Sequence, residues 1–120
     1  MGSKAIVLFG HGSRDPLWRL PIEGVAARVA QERPDLLVRC AYLELEPPDL
    51  PTAVAGLAQA GATDIALLPM FLGMGRHARE DLPKLVEALR QQYPRIRFDL
   101  RPPVGEHPDL VSTLVRIAAD

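Results

Sequence analysis

Cysteine is nearly absent: Cys40 is the only one in 120 residues. No disulfide can close within the chain. Without any Cys-x-x-Cys, neither a thiolate zinc site nor an iron–sulfur cluster can be assembled within it. Cys40 itself lies in an apolar run, where a buried structural thiol is expected. An excess charge of either sign is also missing. The formal net charge is -1, so no global basic field points to nucleic acid or to a membrane surface. No apolar stretch approaches the length of a membrane span, and the N-terminus lacks a signal-peptide pattern, so a cytoplasmic protein is expected. Met1-Gly2 opens like a myristoylation signal, but Ile6 stands where that motif needs Ser or Thr. The G-x-x-x-x-G-K-[ST] phosphate loop is absent, which argues against ATP-driven chemistry, and so is the G-x-G-x-x-G dinucleotide pattern. What remains is an ordinary globular composition, 48% hydrophobic and 24% charged, at a length suited to a single domain over residues 1–120.

Strand and helix signals alternate along the chain. Strands are predicted at Lys4–Phe9, Leu37–Glu44, Thr63–Leu68 and Ile96–Leu100. Helices are predicted at Pro21–Glu32, Leu50–Ala60, Glu80–Gln92 and Pro108–Ala118. Pro34, Gly61 and Pro94 stop the first three, and Pro108 suits the first turn of the last. Such alternation implies an α/β fold: a parallel, doubly wound sheet with helices on both faces. Right-handed crossovers make 2-1-3-4 the expected strand order. In folds of this kind ligands bind at the carboxyl ends of the strands, beside the switch point between strands 1 and 3.

Two histidines are placed to use that point. His11 lies in Phe9-Gly10-His11-Gly12-Ser13-Arg14, directly after strand 1, and His77 follows strand 3 in Pro69-Met70-Phe71-Leu72-Gly73-Met74-Gly75-Arg76-His77. Imidazole is the commonest side-chain ligand for transition metals and the side chain that exchanges protons near neutral pH. Two of them on one sheet edge suggest a metal or proton-transfer site. The plainer alternatives are a loop-anchoring His11 and a His77 that caps a helix. Glu44 and Glu46 end strand 2 on the same rim. Residues two apart on a strand share a face, so both carboxylates are candidates to join the imidazoles; Glu44, nearer the strand, is preferred. His107, in Gly105-Glu106-His107-Pro108, precedes a proline-started helix, and a turn or N-terminal role suits it at least as well as ligation. Arg14, Arg19, Arg76 and Arg79 sit in or beside the histidine loops and suggest an anionic ligand. Trp18, Met70, Phe71, Leu72 and Met74 suggest a flat apolar ligand or a subunit contact; the alternative is a loop folded onto its own core.

Taken in order, Leu8-Phe9-Gly10-His11-Gly12-Ser13-Arg14, Tyr42-Leu43-Glu44 with prolines shortly after, Leu68-Pro69-Met70-Phe71-Leu72 with Gly75 and His77, and Gly105-Glu106-His107-Pro108 resemble the small class II tetrapyrrole chelatases. These are the short sirohydrochlorin cobaltochelatases and ferrochelatases of the CbiX type. The resemblance runs over essentially the whole chain. It implies ATP-independent insertion of a divalent metal, Co²⁺, Fe²⁺ or Ni²⁺, into sirohydrochlorin for cobalamin or siroheme synthesis, with no cofactor beyond the substrate metal. By the matching motifs, His11 and His77 would handle metal and Glu44 would complete the catalytic set. Ser13, Arg14, Met70, Phe71, Leu72 and Arg76 would contact the tetrapyrrole. The short members look like half of the two-domain chelatases, so a homodimer is implied. The competing readings are a metal or tetrapyrrole carrier with the same site, and a histidine phosphatase. Against the latter, Gly10 replaces the arginine of an Arg-His-Gly start.

Overall fold

The computed structural model describes residues 2–120. Its sheet has four parallel strands, β1 (Ser3–Gly10), β2 (Leu37–Tyr42), β3 (Ala62–Pro69) and β4 (Arg97–Leu100), in the order β2-β1-β3-β4. The expected topology is therefore the observed one. The helices are α1 (Leu20–Glu32), α2 (Leu50–Gln59), α3 (Arg76–Gln92) and α4 (Pro108–Ala119), with a 3-10 turn at Val104–Glu106 before α4.

Alternation along the central strands divides the core. Ala5, Val7 and Phe9 of β1, with Ile65 and Leu67 of β3, pack under Leu50, Ala53, Val54 and Leu57 of α2 and Leu82, Val86 and Leu89 of α3. Leu8 points the other way, against Ile22 of α1 and Tyr42, with Ile6, Cys40, Leu68 and Met70 around it. β1 is covered on both faces and β3 on the face under α2 and α3, which is why these strands read as apolar runs. Each fully buried Leu or Val contributes about 1.5–3 kcal/mol relative to exposure, so the two strands that end at the candidate loops are the best anchored in the sheet.

Asp49 starts α2 by accepting the Thr52 N–H at 2.9 Å. This hydrogen bond, first among the causes, holds the Asp49 carboxyl below its ordinary range. Asp49→Ala should cost about 1 kcal/mol in thermal or urea unfolding near neutral pH. Because the folded pKa is lowered, that stabilisation is present above the unfolded pKa and lost as pH falls through the folded one. The gap between variant and parent should therefore close in acid; a gap that persists there would contradict the cap.

Two boundaries differ from the sequence expectation by enough to matter. β2 ends at Tyr42 rather than Glu44, because the chain turns at Leu45, whose φ is 70°. α3 begins at Arg76 rather than Glu80, with Gly75 as its N-cap. Buried Ala78 extends the inward stripe of Leu82, Val86 and Leu89 by one turn. His77 thus lies in the first turn of a helix, not in a loop. α4 is the least packed element. It buries no residue, and Val111, Leu114, Val115 and Ile117 are exposed along it. No helix among the described residues is long and apolar enough to cross a membrane.

Candidate active site

Beyond its last strand residue, β1 remains tied to the segment that leaves β2. The Leu43 N–H donates to the Gly10 carbonyl at 2.9 Å and the Glu44 N–H to the His11 carbonyl at 3.1 Å. Between them Gly12 adopts φ 101°, and a Cβ there would stand 1.8 Å from the Glu44 carbonyl oxygen. Only glycine allows both the left-handed backbone and so close an approach. The two loops are thereby held side by side, and their side chains meet: His11 Nε2 lies 3.2 Å from Glu44 Oε1. Both side chains are 56% exposed, so the pair faces solvent at the carboxyl edge. A carboxylate on one ring nitrogen fixes the imidazole's orientation and leaves the other nitrogen free. The Phe71 ring supports His11 from the β3 side, edge-on to it at 6.4 Å between centroids and to buried Phe9 at 6.2 Å.

Glu44 and Glu46 do not share a face. The turn at Leu45, closed by the Glu46 N–H on the Glu44 carbonyl at 2.9 Å, sends Glu46 inward. Its side chain is only 6% exposed. It accepts the Ser13 N–H at 3.1 Å and pairs with the Arg19 guanidinium at 3.2 Å. Period-two reasoning fails here because the segment is not extended.

The other candidates separate clearly. His77 is exposed in the first turn of α3, on the same carboxyl edge as His11. No three His, Cys, Asp or Glu side chains among the described residues stand close enough together to hold a metal ion. The structure therefore pairs His11 with Glu44 and leaves His77 outside a common donor cluster. Arg19 is engaged by Glu46 and Glu23, and the hydrogen bond it donates to Glu46, foremost among the causes, raises its pKa further; it is not a free anion binder. Arg14, Arg76 and Arg79 are exposed. The Ser13 hydroxyl accepts the Asp15 N–H at 3.1 Å, so it shapes the loop while keeping its own proton to donate. Met70 packs against the Leu8 cluster, and Phe71 and Met74 against the Phe9 cluster. Leu72, at 70% exposure, is the apolar side chain of this loop left open. His107 caps α4, its Nδ1 accepting the Asp109 N–H at 3.1 Å.

Neither Cys40 nor Tyr42 supplies an anion. Burial pushes the Cys40 thiol up, and burial, followed by the nearby Cys40, pushes the Tyr42 phenol up to about 12. Sequence reasoning did not find two local devices: the Glu46–Arg19 tie, and the fit of Gly105 against the Leu72 carbonyl. At Gly105 a Cβ would fall 1.8 Å from that oxygen, and the Gly105 N–H donates to the Phe71 carbonyl at 3.0 Å. In both, a glycine or a charged residue beside a motif was the available signal. A groove of about 860 Å³ runs along the same edge between Leu68, Met70, Val104 and α4, and neither His11 nor His77 lines it.

The family model CbiX matches residues 5–120. The chain belongs to the CbiX family. This CbiX chain is 37% identical over 81 residues to the sirohydrochlorin cobaltochelatase of Methanosarcina acetivorans, a match covering 68% of the chain and 62% of that relative. It thus spans about three fifths of the length of that relative. Among solved structures it is similar to a CbiX protein of cobalamin biosynthesis from Marinobacter aquaeolei VT8. The TM-score is 0.83 at 29% identity, over 97% of this chain and 94% of that one. It is also similar to the sirohydrochlorin chelatase SirB from Bacillus subtilis subspecies spizizenii in complex with cobalt. There the TM-score is 0.80 at 26% identity, over 95% of this chain but 49% of SirB.

Proposed function

We propose that this CbiX chain, acting as one chelatase-like unit over residues 1–120, inserts a divalent metal ion into sirohydrochlorin without ATP. The observation that carries the reading is the open His11–Glu44 pair, with Nε2 and Oε1 3.2 Å apart at the carboxyl edge of the sheet. Metal insertion exchanges two pyrrole N–H protons for one cation. A neutral imidazole holds a borderline cation such as Co²⁺ or Fe²⁺ loosely enough to release it. In this reading His11 presents the metal, and His77, on the same edge, takes part in its delivery. Glu44 orients His11 and accepts protons as the pyrrole nitrogens lose them. Arg14 and Arg76, with the Ser13 hydroxyl, pair with the carboxylates on the tetrapyrrole rim. Leu72 contacts the face of the macrocycle, and Met70 and Phe71 form the floor beneath it. Cobalt is the first metal to test, since both the archaeal relative and the SirB structure carry it in their names; Fe²⁺ and Ni²⁺ follow.

The test is anaerobic visible absorbance with catalytic amounts of protein and each metal offered separately. Many metallated tetrapyrroles per chain are expected. Binding that stops at one equivalent, with no metallated product, would replace this reading with a carrier; turnover of a generic phosphate ester in its place would restore the phosphatase.

The working form in this proposal is a two-fold homodimer. A single rim leaves a large polyanion mostly in water, whereas ligand sites usually bury most of the ligand. SirB, in which a match of this length fills about half the chain, supports a second copy as the missing wall. Loop residues near Trp18 and Met70–Met74 would lie at or beside the interface, with exposed Leu17 and Leu72 among them. The exposed apolar side of α4 is a further surface that a partner would cover. Sedimentation at micromolar concentration, with and without tetrapyrrole, should show a dimer in at least the bound state. A strictly monomeric and fully active protein would contradict it.

A further inference from the structure

Glu46 is the most deeply buried carboxylate among the ion-paired residues described, its side chain 6% exposed. A charge so placed has to be paired and hydrogen-bonded. Both needs are met by groups that precede it in the chain by a long interval: the Ser13 backbone N–H at 3.1 Å and the Arg19 guanidinium at 3.2 Å. Arg19 is held in turn by Glu23 at 3.2 Å. One carboxylate therefore fastens the loop after β2 to the loop after β1 and to the start of α1. The fastening sits two residues from each member of the exposed pair, Ser13 beyond His11 and Glu46 beyond Glu44.

The intervening backbone needs such a hold. Leu45 has φ 70°, a region that a bulky side chain occupies only when the surroundings impose it. Leu45 is itself 52% exposed, so burial of its own side chain contributes little to holding the turn. Release of the turn would let Glu44 swing away from His11, since both of those side chains lie in the open.

We infer that Glu46 is the positioning residue of the His11–Glu44 pair: it touches neither metal nor tetrapyrrole, and it fixes the distance across which Glu44 orients His11. This rests on the chelatase reading for its consequence in activity, but not for its geometry. Groups that orient a metal-handling histidine from behind typically affect activity by about 10–100-fold when lost.

The experiment compares the full chain with Glu46→Ala and Glu46→Gln. With Co²⁺, Glu46→Ala should lower kcat about tenfold or more and change the KM for sirohydrochlorin by a smaller factor, since Glu46 itself touches no substrate and reaches it only through the Ser13 backbone it holds. Glu46→Gln keeps an acceptor for Ser13 and gives up the ion pair, so its kcat should fall between the two. A raised KM at unchanged kcat would overturn the inference. A second arm uses protein alone: the ring proton signals of His11 are recorded by NMR with and without Glu44→Gln. In the parent they should shift on that replacement. In the Glu46→Ala background the shift should shrink or vanish; a full shift there would overturn the inference. Should Glu46→Ala fail to fold, Glu46→Gln carries both readings at reduced size. Absence of turnover by the parent with every metal would remove the chelatase reading, and the NMR arm would still decide the positioning role.

Discussion

His11→Ala should lower the rate of metal insertion by about a hundredfold or more, the range expected when a proton-handling or metal-presenting group is removed, while the protein stays folded. The imidazole is 56% exposed, with Glu44 and the Phe71 ring beside it. Truncation leaves no cavity and no unpaired buried group, so the change in unfolding free energy should stay within about 0.5 kcal/mol. His77→Ala should behave similarly, with a clear loss of turnover and little loss of stability, since His77 is exposed in the first turn of α3. His107→Ala should do the reverse. Its Nδ1 caps α4, so stability should fall by about 1 kcal/mol with the smallest effect on turnover of the three. Rates with sirohydrochlorin and Co²⁺, set beside thermal melts of the same samples, test the pattern. Full activity in the His77 variant would remove it from the site, and a His107 variant as inactive as the His11 variant would relocate the chemistry.

Gly12→Ala should be the most damaging single-methyl addition near the site. The backbone there has φ 101°, and the new Cβ would be placed 1.8 Å from the Glu44 carbonyl oxygen. The carbonyl belongs to the residue whose side chain meets His11, so relief of the clash must move Glu44, His11 or both. The left-handed conformation alone costs a non-glycine residue about 1–3 kcal/mol. A displacement of the order of 1 Å between reacting groups can lower a rate by roughly a hundredfold. The expected result is a variant of reduced melting temperature whose turnover falls further than the loss of folded protein explains. Parent-like turnover in a folded Gly12→Ala would show that the close approach of the two loops does not matter for the reaction.

The fold was legible where the strands are well buried. Ala5–Phe9 lie under helices on both faces and Ile65–Leu67 under α2 and α3 on one, and so both show in the sequence as apolar runs. Strand order then followed from the handedness of crossovers and placed His11 at the correct edge. The pairing of His11 with an acidic residue was also within reach, because the end of β2 lies beside the end of β1 in that order. What could not be read was local backbone geometry. Extending β2 to Glu44 put Glu44 and Glu46 on one face; a single residue, Leu45, with φ 70° separates them into an exposed partner of His11 and a buried anchor. Gly73 and Gly75 concealed the start of α3, although Ala78 already continues its inward stripe. Arg19 looked like one of four rim arginines, and only its contacts with Glu23 and Glu46 reveal that it is spoken for within the fold.

Proton release tests the central claim most directly, because insertion and mere binding differ in it. Under anaerobic conditions, with Co²⁺, excess sirohydrochlorin and a pH indicator in weak buffer, the protein should release two protons for each metal inserted, in step with the absorbance change and over many turnovers. Glu44→Gln should slow both signals together by about a hundredfold. An absorbance change that stops at one equivalent per chain, or a Glu44→Gln variant that releases protons at the parent's rate, would contradict the account.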